Sequence, residues 1–132
     1  MRTVRGIFVP LLACVLVSCA SVAKDDAPTC SSAAECDAKW KMAERWIVHR
    51  ARRSVEHKGD DYMESVGTYG KALVVRVRKV PQGDGSWRIE AHIRCGEPIG
   101  CDPSVEEARR SFRQFVEMAW FEPPSRKTEG SD

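Results

Sequence analysis

Leu73-Val74-Val75-Arg76-Val77-Arg78 and Trp87-Arg88-Ile89-Glu90-Ala91-His92-Ile93-Arg94-Cys95 decide the fold. In the first run Leu73, Val75 and Val77 alternate with Val74, Arg76 and Arg78. In the second, Trp87, Ile89, Ala91, Ile93 and Cys95 alternate with Arg88, Glu90, His92 and Arg94. A period of two is that of a strand with one buried face. Pro81-Gln82-Gly83-Asp84-Gly85-Ser86 separates the runs, and a Gly/Pro loop in that place predicts an antiparallel hairpin. Cys95 has the inward parity, so its sulfur points towards whatever covers the sheet.

Two helical patterns flank the hairpin. Residues 35–58 contain no Gly or Pro, and Trp40, Ala43, Ile47, Ala51 and Val55 recur at three or four. This predicts one long helix, capped by Ser31 or Ser32 and stopped by Gly59. Beside the stripe, Met42, Trp46, His49, Arg50 and Arg53 form a second line. It is either a widening of the core face or an aromatic–basic interaction ridge. After the hairpin, Asp102-Pro103-Ser104-Val105-Glu106-Glu107 opens another helix, with Asp102 as cap and Pro103 in the first turn. Val105, Ala108, Phe112, Phe115, Val116 and Ala119 are its stripe, and Pro123-Pro124 its stop. Between Asp60 and Gly70 the pattern suits a short edge strand. The fold class that satisfies these faces is α+β: a small two-layer sandwich, two helices on one face of a two- or three-stranded antiparallel sheet. Trp40, Trp87, Phe112 and Phe115 should meet in its core.

Upstream, Arg2 and Arg5 precede an uncharged run of eleven residues, Ile7 to Val17, and then Ser18 and Cys19. That is the layout of an export signal with its n-region, h-region and cleavage point. Leu16-Val17-Ser18-Cys19 resembles the lipobox of bacterial lipoproteins. Leu11-Leu12-Ala13-Cys14 fits the same pattern but leaves too short an apolar run, and a membrane span needs about 20 apolar residues. The resemblance implies that residues 1–18 are removed and that Cys19 carries a thioether diacylglycerol and an amide-linked acyl chain. At about 0.8 kcal/mol per buried methylene, such an anchor does not let go. Ala20 follows the cysteine, where aspartate signals inner-membrane retention in many Gram-negative lipoproteins. The implied address is therefore the periplasmic face of the outer membrane. Residues 19–29 read as a lipidated N-terminus and tether, spanning about 18 Å if flexible. The folded domain then covers 30–122, and 123–132 reads as a disordered tail.

The chain has 132 residues, 21 Lys and Arg and 19 Asp and Glu. Loss of Arg2 and Arg5 with the signal brings the mature charge to zero, which removes the bulk-electrostatic case for nucleic acid. Cys30, Cys36, Cys95 and Cys101 make an even set in an exported small domain, the mark of structural disulfides. Five residues separate each local pair, too many for usual zinc ligands and wrong for a redox C-x-x-C. Local bridges stabilise by about 2.4 kcal/mol each and long ones by about 4.3 on the chain-entropy model. Gly96, Pro98 and Gly100 supply a turn and favour the local pairing.

No G-x-S-x-G, H-E-x-x-H, P-loop or dinucleotide fingerprint occurs. His49 and His57 fall on the predicted long helix without facing each other, and His92 falls on the outward strand face. No catalytic residue, metal ligand or cofactor is expected. The outward face, with Arg76, Arg78, Arg88, His92 and Arg94, is the candidate surface for an anionic envelope ligand, although such faces are usually just solvated. Glu35-Cys36, Trp40, Ala43 and Trp46-Ile47 in one helix resemble small proteobacterial lipoproteins, a likeness that brings no activity with it. The functional expectation is a membrane-anchored, non-enzymatic interaction or accessory module of the envelope. A binder of anionic ligands is the alternative, and a small periplasmic hydrolase comes third.

Overall fold

The computed structural model describes residues 26–67 and 70–121. The expected signal, lipidation site and C-terminal tail lie outside them. The described elements are β1 (Thr29–Cys30), α1 (Ala33–His49), β2 (Val55–Lys58), β3 (Tyr62–Ser65), β4 (Leu73–Pro81), β5 (Trp87–Cys95) and α2 (Val105–Glu117). The fold is α+β. One antiparallel sheet runs β1-β5-β4-β3-β2, so the expected two or three strands are in fact five.

The predicted hairpin is β4 and β5, paired from Leu73 opposite Cys95 to Pro81 opposite Trp87. Gly83 and Gly85 have φ of 84° and 87° in the turn, a left-handed conformation that glycine adopts without a Cβ clash. The Asp84 carboxylate accepts from the Ser86 N–H at 2.9 Å and fixes the loop.

The long helix stops early. Arg52 has φ 53°, and the Ala51 and Arg53 N–H groups turn back to the Trp46 and Ile47 carbonyls at 3.0 and 2.9 Å. The chain thus leaves α1 after His49 and re-forms as β2, with Gly59 in the turn to β3, donating its N–H to the Tyr62 carbonyl at 2.6 Å. Ala51 and Val55 still pack against the core, which is why they extended the helical stripe in the sequence. Burial is shared by both geometries, and only the backbone reversal at Arg52 separates them. It follows that β3 is an interior strand and β2 the sheet edge.

At its start, α1 is capped by Ser32, whose hydroxyl accepts from the Glu35 N–H at 3.2 Å. The cap of α2 is Ser104 rather than Asp102. Its hydroxyl accepts from the Glu107 N–H, and the Glu107 carboxylate returns to the Ser104 N–H at 3.0 Å, a capping box. The Asp102-Pro103 peptide is cis, so both residues belong to the connection. α2 ends at Glu117, well before Pro123.

Both helices bury side chains in one core with Met63, Val75, Val77, Ile89 and Ile93 of the sheet. Trp46 is only 1% exposed. Its ring meets Phe112 edge-on at 5.3 Å, and its Nε1–H donates to Ser111 Oγ at 3.0 Å. Trp40 and Phe112 are buried, whereas Trp87 and Phe115 close the core's rim. The Lys79 ammonium sits 5.4 and 5.8 Å from the Trp40 and Trp87 ring centres, a cation–π contact with each. The disulfides are local, Cys30–Cys36 and Cys95–Cys101, with Cα separations of 5.1 and 5.6 Å.

Trp46→Ala removes a fully packed ring and leaves Ser111 without its donor, so it should lower unfolding free energy by about 3–5 kcal/mol. Urea denaturation of both proteins measures this; a change under about 1 kcal/mol would contradict the core placement.

Candidate functional site

Strand register places Arg76, Arg78, Arg88, His92 and Arg94 on one face of the sheet, as alternation requires. Their charge is partly spent within the face. Arg76 binds Glu64 of β3 at 2.9 Å, and Arg88 Nε donates to Glu90 at 2.8 Å. The Tyr62 hydroxyl also donates to Glu64. That bond and then Arg76 hold the Glu64 carboxyl below its usual range, while Tyr62 is pushed up because ionising it would lose the bond to Glu64. His57, Glu64, Arg76 and His92 lie opposite one another across four strands. The sequence concealed this row, because His57 was placed on a helix. Its one carboxylate, Glu64, stands between His57 and Arg76 and pairs with the Arg76 guanidinium across the strands.

The other candidate, a ridge of Met42, Trp46, His49, Arg50 and Arg53, does not form. Trp46 faces α2, and Arg50 lies over the Phe115 ring at 5.6 Å. The half-buried Arg53 donates to the Val66 carbonyl at 3.1 Å, and its Nε–H is buried without a partner among the described residues. Met42 is half-buried and His49 exposed. Both line a shallow groove that also includes Lys41, Arg45, Val48, Met118 and Trp120. Trp120, 83% exposed, lies beyond the end of α2.

A third surface was not foreseen. β1 covers only the first part of β5, pairing Thr29 with Arg88 and Cys30 with Trp87. Past the Ile89 N–H, which donates to the Pro28 carbonyl at 2.7 Å, no described strand lies on the edge of β5 away from β4. A groove of about 470 Å³ opens there between β5 and α2. Ile89, Ala91 and Phe112 give it an apolar floor, and Arg109, Arg110 and Arg113 line its helical side. Arg113 holds Asp26 at 2.6 Å, while Arg109 reaches the Ile93 carbonyl at 3.4 Å. Positions 109 and 113 announce themselves in the sequence only as polar residues off the stripe. Their meaning comes from the strand they face.

Lys39 fixes where β1 ends. It is 6% exposed, and its ammonium donates to the Thr29 carbonyl at 2.6 Å and Glu117 at 3.0 Å, with Glu35 at 3.1 Å. Burial opposes the charge on Lys39, but the bonds to Glu117 and Glu35 outweigh it and push the amine above its usual range. Burial likewise opposes ionisation of Glu35, yet the Ser31 N–H and Lys39 hold it below the usual carboxylate range. Among the described residues no group of three or more His, Cys, Asp or Glu is placed to hold a metal ion. All four described cysteines are in disulfides.

The sign of the pH dependence follows from these directions. Glu35, with its pKa depressed on folding, contributes stability above about pH 4.3 and loses it as pH falls through its lower folded value. Lys39, with its pKa raised, contributes fully below about pH 10.4 and loses its share as pH rises through its higher folded value. Lys39→Met should therefore cost roughly 1–3 kcal/mol on the plateau between, with the gap to wild type narrowing at both extremes. Urea midpoints from pH 3 to 11 measure it; a gap independent of pH would show that the ammonium's charge is not what holds the cluster. Comparison of the chain with family models, curated proteins and solved structures finds no match.

Proposed function

We propose that this chain is a lipid-anchored protein of the bacterial cell envelope, held at the periplasmic face of the outer membrane, and that it acts as a non-enzymatic interaction module. The observation that carries the reading is the charge-free run ending in Leu16-Val17-Ser18-Cys19, directly ahead of a domain whose four cysteines are bridged. Disulfides persist in the oxidising compartments to which such a signal leads, so two independent features support the same address. The interaction role is supported by a grooved sheet edge on a small stapled domain, with described cysteines committed to bridges and three histidines that do not converge.

The alternative, an anionic envelope ligand on the basic strand face, has less support. Arg76 and Arg88 already hold Glu64 and Glu90, which leaves Arg78, His92 and Arg94 to attract an anion. A small periplasmic hydrolase has less again, because no nucleophile–base pair stands out among the described residues. The proposal involves neither nucleic acid nor a cofactor.

Lipidation is directly measurable. Intact mass of the membrane-extracted protein should exceed that of residues 19–132 by the acyl chains, and Cys19→Ser should yield unprocessed or soluble protein without them. An unmodified mature N-terminus other than residue 19 in the wild-type protein would overturn the anchor.

A further inference from the structure

Hydrogen-bonding direction alternates along β5. The Ile89 N–H points to β1's side, so Ala91 and Ile93 also turn their N–H and C=O groups away from β4, towards the open groove. The molecule shows how this edge is used one step earlier. Residues 26–28 lie against it, with the Pro28 carbonyl on the Ile89 N–H at 2.7 Å and the Asp26 carboxylate on Arg113 at 2.6 Å. One helical turn along α2 on the same face stands Arg109. Its guanidinium rests on the Ile93 carbonyl at 3.4 Å, long for a hydrogen bond, and among the described residues no carboxylate pairs with it. A strand edge and an arginine are thus offered twice in succession, filled the first time and, among the described residues, open the second.

We infer that this groove binds an extended, acidic segment of a partner protein by strand addition to β5. The segment's main chain pairs with Ala91 and Ile93, and its carboxylate takes Arg109 from the Ile93 carbonyl, which is freed to accept a ladder bond. Main-chain pairing gives such complexes their affinity, and the side-chain contacts their selectivity. Ala91 and Phe112 form the apolar floor for the residue that faces inward. Glu106, at the groove's end, does not oppose an acidic guest because Arg110 holds it at 3.5 Å. The inference deepens the interaction-module reading and rests on it, but is independent of lipidation.

The test uses the mature chain with both disulfides and an acetylated, amidated octapeptide alternating valine and threonine with one central aspartate. Titration followed by amide NMR should perturb Ala91, Ile93 and Arg109, with saturation at millimolar peptide or below. Replacing the aspartate by asparagine, or Arg109→Gln in the protein, should each weaken binding about five- to tenfold. N-methylation of alternate peptide amides, made in each of the two phases, should abolish it in the phase that faces β5, because those ladder bonds cannot form. Binding that survives N-methylation in both phases, shifts confined to Arg78 and Arg94, or no binding at several millimolar would each overturn the proposal. A variant lacking residues 20–25 that binds more than about tenfold better would assign the groove to the chain's own leading segment, and would also overturn it. A photo-crosslinker at His92 and another at Val48 separate the two readings in cells. Capture from Val48 alone defeats the groove but spares the interaction module, and capture from neither defeats both.

Discussion

The fastening of β1 is the constraint on which the rest of the structure depends. Cys30 must reach Cys36 on the first turn of α1, and Ser32 must cap that helix, so β1 ends at Cys30, opposite Trp87 at the start of β5. Lys39 fastens the same point from below, taking the Thr29 carbonyl and joining it to Glu117 at the end of α2. A bridge closing about seven residues and an ion cluster together set the first strand, the first helix and the second helix relative to one another. Among the described residues the outer edge of the nine-residue β5 is paired only at its start, by the two-residue β1, and farther along that edge faces the groove beside α2.

Charge in this chain is arranged by strand and helix spacing rather than by total. Arg76 answers Glu64 across β3 and β4, and Arg88 answers Glu90 two residues along the same strand. On α2, Glu106 and Arg110 pair at one turn's distance. Exposed pairs of this kind contribute little to stability, about 0–1 kcal/mol each. Their effect is to quiet the sheet's outer face, so that the arginines with least local neutralisation become the informative ones. Arg109, like Arg53, meets a main-chain carbonyl where a carboxylate would be expected, but it does so at the outer edge of β5.

The hairpin was legible because strand alternation is local and the Gly/Pro loop marks its turn, and the local disulfides were legible because the turn at residues 96–100 makes them short. α1 was overrun for a physical reason. Ala51 and Val55 are apolar at helical spacing and do pack on the core, but they do so after a left-handed Arg52, a conformation sequence periodicity does not encode. The extra edge strand β2 has the same cause, since its residues share the helical spacing, whereas the two-residue β1 is too short to show a period. Trp46 left two readings open, and the partner that decides between them, Phe112, is 66 residues away in sequence. Lys39 and Arg109 were invisible for the same reason. A buried ammonium and an edge-facing guanidinium are defined by the elements that come to meet them.

Among the described residues the outer edge of β5 is open from Ala91 onward. Native-state amide hydrogen exchange on the mature, oxidised chain tests it residue by residue. Glu90, His92 and Arg94 face β4 and should be protected close to the global limit, while Ala91 and Ile93, in the same strand, should exchange at least about tenfold faster. Such alternation has no source other than an unpaired edge. Equal protection of Ala91, His92, Ile93 and Arg94 would mean that the edge is already covered, and the account of this surface would fall.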